Sequence, residues 1–238
     1  MAPWRRSAAA LREYPRFLRS WRAYQRLDGA ERLQLGEGFP CLFDRTPTTP
    51  YDPHYVHQSV WTAERVQRLV PRRHVDVGSE ITFVAMLSTV VPVVFVDIRP
   101  LHLELRQLST LAGDLLRLPL DDASAVSLSC LHVAEHVGLG RYGDRLLPDG
   151  TQRACRELSR VLAPAGNLFF SVPVGRPRTC FNAHRIHEPA RIVEYFGDLE
   201  LVEFSLVDDS HDLVEHADPV LAAAATYGCG LFWFRRPD

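Results

Sequence analysis

The stretch HVDVGSEITFVAMLSTVVPVVFVDIRP, His74 to Pro100, decides the fold. It opens on a short β-branched strand, HVDVG, closes on a second, VPVVFVDI, and carries between them a helix-like apolar segment, ITFVAMLST. Strand, helix and strand in so short a span form the unit of a parallel sheet. The polar residues fall at the strand ends. The first strand ends in Asp76-Val77-Gly78-Ser79, where glycine allows a tight turn and leaves amide groups facing a ligand. About 21 residues beyond Asp76, Asp97 ends the second strand, at the distance expected of an acid that accepts hydrogen bonds from ribose hydroxyls.

The alternation extends in both directions. Upstream, YVHQSVWTAERVQRLV (55–70) reads as an amphipathic helix stopped by Pro71. Downstream come a short LHLELRQLS helix after Pro100, a strand near 111–114 ending Gly113-Asp114-Leu115, and the apolar run ASAVSLSCLHV (123–133). Then follow a helix, TQRACRELSRVL (151–162), closed by Pro164 and Gly166, and the strands NLFFSVPV (167–174), LELVEFSLV (199–207) and GCGLFWFRR (228–236). Roughly seven continuous apolar strands separated by helices predict an α/β, doubly wound, mostly parallel sheet covered on both faces. Residues 51–238 are assigned to this Rossmann-like domain. Residues 1–50 form a basic helical extension and a Pro/Gly-rich connector, LGEGFPCLFDRTPTTPYDP.

Composition removes several chemistries. The chain has no lysine, so all 27 basic residues are arginine; a Schiff-base lysine, a P-loop lysine and a Tyr-x-x-x-Lys pair are excluded. A net charge of −2 argues against a nucleic-acid partner bound by bulk electrostatics. Five cysteines without a C-x-x-C pair read as reduced thiols of a cytoplasmic protein, with no metal site expected. The apolar run at 81–98 is interrupted by Ser88, Thr89 and Pro92, so it is not a membrane span. The N-terminal segment carries seven arginines against Glu13, with Trp4, Phe17, Leu18 and Trp21 interleaved. That pattern fits a helix packed on the domain with a solvated face, or one touching a membrane surface or a protein.

With these residues in place, the chain resembles the class I S-adenosylmethionine-dependent methyltransferases over residues 55 to 236. The resemblance implies a seven-stranded sheet whose last strand is antiparallel, and S-adenosylmethionine as cofactor. It implies that Asp76, Gly78 and Ser79 hold the methionine part, that Asp97 and Ile98 meet the ribose, and that Gly113, Asp114 and Leu115 meet the adenine. Cys130, Leu131 and His132, at the end of the fourth strand, complete the implied cofactor set. The segment CRELSRVLAPAGNLFFSVP looks like the family's helix, Pro-x-Gly turn and fifth strand. More narrowly, VDVGSEITF, FVDIRP, SLSCLHVAEHVGLGRYGD and FSVPVG with FNAHR resemble a bacterial branch described as a domain of unknown function. That branch is often associated with surface-polysaccharide or secondary-metabolite genes. The glycine loop departs from the family: Ser79, Glu80 and Ile81 follow Gly78, with no further glycine.

One motif points elsewhere. His132, Glu135 and His136 spell H-x-x-E-H, the inverted zinc-protease signature. The metallopeptidase reading needs that spacing on a helix, whereas His132 ends a strand and Gly138 and Gly140 follow at once. His136 is instead the leading candidate for a general base, with His184 second, since a neutral histidine suits proton removal from a hydroxyl. Arg141, Tyr142, Arg178, Asn182 and Arg185, with Tyr55 and His57 from the first helix, are the expected acceptor contacts, the arginines suiting a phosphate or carboxylate.

The function expected is cofactor-dependent O-methylation of a sugar, glycan or secondary metabolite. Two alternatives stand beside it: a non-catalytic protein of the same fold that scaffolds a biosynthetic complex, and a metal-assisted sugar O-methyltransferase.

Overall fold

The computed structural model describes residues 3–99 and 101–238, with side chains from Ala10 onward. Two compact units result, Met1–Tyr51 and Asp52–Asp238. In the first, helix α1 (Pro3–Tyr24) stacks Tyr14, Phe17 and Trp21 along one side, and Arg16 donates to the Leu42 carbonyl at 2.8 Å. Arg12, Arg19 and Arg22 are exposed. The side chains of Trp4, Arg5 and Arg6 lie outside the described residues.

The second unit begins with helix α2 (Pro53–Leu69). Its start is fixed locally: Asp52 accepts from the backbone N–H of His54 (3.0 Å) and Tyr55 (3.3 Å), and Pro53 occupies the first helical position. The strands β1 (His74–Val77), β2 (Val93–Asp97), β3 (Leu108–Ala112), β4 (Ala125–Leu131) and β5 (Leu162–Val174) pair in parallel. β10 (Gly228–Arg235) runs antiparallel between β5 and β8 (Glu200–Val207), and the two-residue β9 (Leu213–Val214) edges the sheet. The order is β3-β2-β1-β4-β5-β10-β8-β9: the seven expected strands plus a short edge. β6 (Arg178–Cys180) and β7 (His184–Ile186) form a separate hairpin.

Both faces of the sheet are covered. Helix α3 (Ile81–Leu87) and α2 bury Phe83, Val84, Leu87, Trp61 and Val66 against Phe95, Leu131, Phe169 and Leu231 on one side. Helices α4 (Gly150–Val161) and α5 (Pro189–Tyr195) cover the other. In α4 the buried residues Thr151, Ala154, Cys155, Leu158 and Val161 recur every three or four positions, which gives one apolar stripe. Both clusters lie within the second unit. Deleting residues 1–27 is therefore expected to leave the melting temperature of the domain within a few degrees; a large drop in a thermal melt would show that α1 is an integral layer.

Two expectations are corrected. LHLELRQLS is not a helix: residues 101–107 are extended or turning, and Leu108 already starts β3. The physical reason is its period of two, with Leu101 and Leu103 packed against the core and His102 and Glu104 exposed. The Pro164–Gly166 turn does not separate helix from strand either. It is a kink within β5, where the pairing jumps from Ala125↔Leu162 to Ser127↔Asn167.

Candidate functional site

The carboxyl ends of β1, β2, β3 and β4 converge on one cleft with two lobes. The narrower lobe, of about 140 Å³, is lined by Gly78, Asp97, Ile98, Gly113, Asp114 and Leu115, with Leu116, Val133 and Val137 supplying apolar walls. The wider, of about 490 Å³, is lined by Tyr55, Ser79, Glu80, Leu101 and Leu131. Gly78, Asp97, Arg99, His132, His136 and Tyr142 border both.

The β1 turn is built from behind. Asp76 is fully buried; its Oδ1 accepts from the Ser79 N–H (3.1 Å) and its Oδ2 from the hydroxyls of Ser79 (2.7 Å) and Ser129. Burial raises its pKa to about 6, against the pull of those serine donors. Asp76 thus shapes the turn and does not border the cleft. Gly78 has φ +70°, and a Cβ there would sit 3.0 Å from Val133, so only glycine fits comfortably. Glu80 caps α3, accepting from the Phe83 N–H at 3.0 Å and the Thr82 hydroxyl at 2.8 Å. Burial opposes its ionisation, but these hydrogen bonds prevail and its pKa is lowered.

At the end of β2, Asp97 Oδ1 accepts from the backbone N–H of Arg99 at 2.7 Å and lies 3.3 Å from its Nε. The Arg99 guanidinium continues to the face of Tyr142, 4.8 Å from the ring centre. This Asp97–Arg99–Tyr142 chain was not read from the sequence. Its one signal is Arg99 two residues after a strand-ending aspartate, the spacing of a side-chain-to-backbone turn.

Beyond β4, His132 adopts φ +54° and the chain enters a short 3₁₀ turn, Ala134–His136. The two histidines do not converge as a protease pair. His132 turns its Nε2 to within 3.2 Å of Cys229 Sγ, whereas His136 places Nδ1 2.6 Å from the Ala183 carbonyl. A carbonyl only accepts, so Nδ1 carries the proton and Nε2 is the accepting nitrogen of the neutral ring; a terminal nitrogen of Arg141 lies 3.4 Å from it. Burial is the main cause that lowers the His136 pKa, and the nearby Arg141 adds to it; Glu135 and the Ala183 carbonyl act in the opposite direction. The ring is therefore neutral at pH 7. Glu135 lies between the two histidines, wholly buried and without a well-aligned hydrogen bond; its Oε1 is 3.0 Å from His132 Nδ1 and 3.7 Å from His136 Nε2. Burial alone would depress the His132 pKa, but Cys229 and Glu135 outweigh it and hold it up.

The remaining candidates are distributed as follows. Tyr55, Leu131 and Tyr142 line the cleft; Cys130 is buried in the core. His57 is half-buried on α2, away from the cleft lining. Arg141 donates to the Ala183 carbonyl at 3.1 Å and lies 3.2 Å from the His136 ring. Arg185, expected to meet the acceptor, instead donates to the carbonyls of Val137 (2.6 Å) and Leu147 (2.9 Å), tying the β6–β7 hairpin to the loop after β4. Arg178 turns to its own hairpin through the Arg176 carbonyl, and Asn182 is exposed at the hairpin tip. His184 packs its ring 5.4 Å from Tyr227, off the cleft wall.

The strand order, the antiparallel β10 and the strand-end cleft decide the architecture. This is the class I S-adenosylmethionine-dependent methyltransferase fold. Residues 75–170 match the family model described as a methyltransferase domain. Residues 123–222 match that of a Caenorhabditis protein of unknown function, DUF268. No curated protein sequence matches the chain. Among solved structures, it is similar to the N-methyltransferase NodS from Bradyrhizobium japonicum WM9 in complex with S-adenosyl-L-homocysteine, at 15% identity and a TM-score of 0.55 over 93% of this chain and 99% of that one. It is also similar to 1,6-didemethyltoxoflavin-N1-methyltransferase of Burkholderia thailandensis, at 16% identity and a TM-score of 0.52 over 78% and 79% of the two chains. No described helix is long and apolar enough to cross a membrane.

The cleft fits the adenosine part of such a cofactor. Among the described residues Asp97 Oδ2 has no hydrogen-bond partner, and Leu115, Leu116, Val133 and Val137 line an apolar slot. At the start of α3, where the helix dipole favours an anion, the Glu80 carboxylate already caps the helix.

Proposed function

We propose that this protein transfers a methyl group from S-adenosylmethionine to a hydroxyl of a small-molecule or glycan acceptor. The observation that carries the reading is that Asp97 and a neutral His136 border the same cleft at the strand ends. The two similar solved structures that hold S-adenosylhomocysteine support the cofactor assignment. The cofactor supplies an electrophilic methyl on a sulfonium. Asp97 would accept from the ribose hydroxyls, and Asp114 with the apolar slot would hold the adenine. His136 Nε2 would take the proton of the acceptor hydroxyl as it receives the methyl group. Glu135 Oε1, 3.7 Å away, steadies the imidazolium that results. Positioning accounts for most of the rate, because the displacement is in-line and needs the two reacting atoms close and aligned.

Calorimetry with S-adenosylhomocysteine tests the reading. Micromolar binding is expected, and Asp97→Ala, by removing a charge-assisted contact, should weaken it by about 1.5–3 kcal/mol. Unchanged affinity in the folded variant would reject the role of Asp97. Glu80 favours a second reading, a non-catalytic member of the fold that scaffolds a biosynthetic complex, because its carboxylate beside Gly78 and Ser79 in the cleft would repel a cofactor carboxylate there. No binding at millimolar ligand would select that reading.

We further infer that the arginine-rich face of α1 contacts an anionic membrane surface or a protein partner in the cytoplasm, since Arg12, Arg19 and Arg22 are exposed.

A further inference from the structure

Beside the cleft, His132, which borders it, is met by two side chains that the methyl-transfer reading does not use. His54 from the first turn of α2, His132 just past β4 and Cys229 at the start of β10 each bring one donor atom to within 4.8 Å of the others, and all three are buried. His54 is stacked on Tyr227, 5.1 Å between ring centres, and lies 5.5 Å from the His132 ring. From these contacts we propose that His54, His132 and Cys229 form a binding site for a borderline divalent transition metal of the zinc type.

The chemistry of the set supports this. Two imidazole nitrogens and one thiolate are the ligands that such a cation selects over magnesium or calcium, which prefer oxygen. Donors on a tetrahedral zinc stand somewhat more than 3 Å apart, given metal–nitrogen distances of about 2.0–2.1 Å and metal–sulfur distances of about 2.3 Å. The His132–Cys229 separation of 3.2 Å is already near that value, so this pair needs only a slight opening, and His54, within 4.8 Å of both, completes the set.

A second, independent observation comes from Glu135. Its carboxylate is fully buried, lacks an aligned hydrogen bond, and lies 3.0 Å from His132 Nδ1, the nitrogen opposite the one facing Cys229. A carboxylate behind a ligating histidine fixes the ring and raises its basicity. Charge also balances: a divalent cation offsets one thiolate and the Glu135 carboxylate, whose burial is otherwise costly. On binding, the metal replaces the Cys229 thiol proton and any proton on His132 Nε2, and both are released to solvent. Three protein ligands leave a fourth position for water or a substrate oxygen, the composition of a reactive site rather than of a closed structural one.

The site can be tested without activity. Full-length protein carrying no histidine tag is stripped with a chelator under reducing conditions, loaded with Zn²⁺, passed through gel filtration and measured for metal; Co²⁺ is added in parallel and followed by absorption spectroscopy. Equimolar zinc and a thiolate-to-cobalt charge-transfer band are expected in the wild type. Cys229→Ala should abolish the band, and Glu135→Gln should weaken zinc affinity by about 10–100-fold. Circular dichroism confirms that the variants are folded. A wild-type protein that retains no metal, or a folded Cys229→Ala with unchanged stoichiometry and spectrum, would overturn the assignment. The wild-type titration decides it even if a variant fails to fold. Binding of S-adenosylhomocysteine is read separately, so loss of the metal proposal and loss of the methyl-transfer reading are distinguishable.

Discussion

His136→Ala is expected to lower methyl-transfer turnover by about 10²–10⁴-fold while changing affinity for S-adenosylhomocysteine little. The asymmetry follows from the geometry. His136 Nδ1 is committed to the Ala183 carbonyl, leaving Nε2 as the accepting nitrogen, whereas Asp97, proposed to meet the ribose, ends β2, and Leu115 and Leu116 follow β3. The pH dependence carries the same signature. Burial lowers the His136 pKa below its usual 6.5, so the ring stays neutral down to mildly acidic pH. Turnover should therefore be flat around neutrality and fall as pH drops through a value below 6.5, and His136→Ala should remove that acidic limb. Normal turnover in the variant, measured with a hydroxyl acceptor, would exclude proton removal by this residue; an unchanged limb would assign the titration to another group.

How far the site could be read from the sequence depended on how local its signals are. Gly78, Asp97 and Asp114 stand at strand ends, where a buried run gives way to a polar residue, and the parallel sheet brings such ends together whatever the rest of the chain does. The strands were legible for the same reason, since burial on both faces demands continuous apolar runs. Arg185 shows the limit. An arginine in a loop looks the same whether it awaits a phosphate or ties down two carbonyls, and only the approach of Val137 and Leu147 decides. His54 and Cys229 were invisible as partners of His132 because they come from the two ends of the domain, with no spacing rule to connect them. Leu101 and Leu103 fall in a segment expected as a helix, yet their alternation with the exposed His102 and Glu104 is the period of an extended chain.

Arg65→Ala is expected to destabilise the domain by about 3–5 kcal/mol. Arg65 is 3% exposed and grips Glu203 with both ends of its fork, Nε to Oε2 at 3.1 Å and a terminal nitrogen to Oε1 at 2.5 Å. It also donates to the Trp61 carbonyl at 2.9 Å and lies 4.1 Å from the centre of the Trp61 ring. Removing it strands a carboxylate that is 7% exposed and has only the Trp61 indole N–H and the Ser205 hydroxyl left as donors. For a domain of this size the loss corresponds to about 6–20 °C in melting temperature. The cost comes from the stranded charge rather than from the pair itself, because two ions brought out of water gain little net energy from each other. The double variant Arg65→Met with Glu203→Leu should therefore recover most of the stability, as apolar side chains of similar volume fill the space. Denaturant melts of the three proteins decide it: a single variant within 1 kcal/mol of wild type, or a double variant no more stable than the single, would show that the pair does not clamp α2. That clamp also matters at the site, because α2 delivers Tyr55 to the cleft and His54 to the proposed metal, and a helix loosened at Arg65 should blur both.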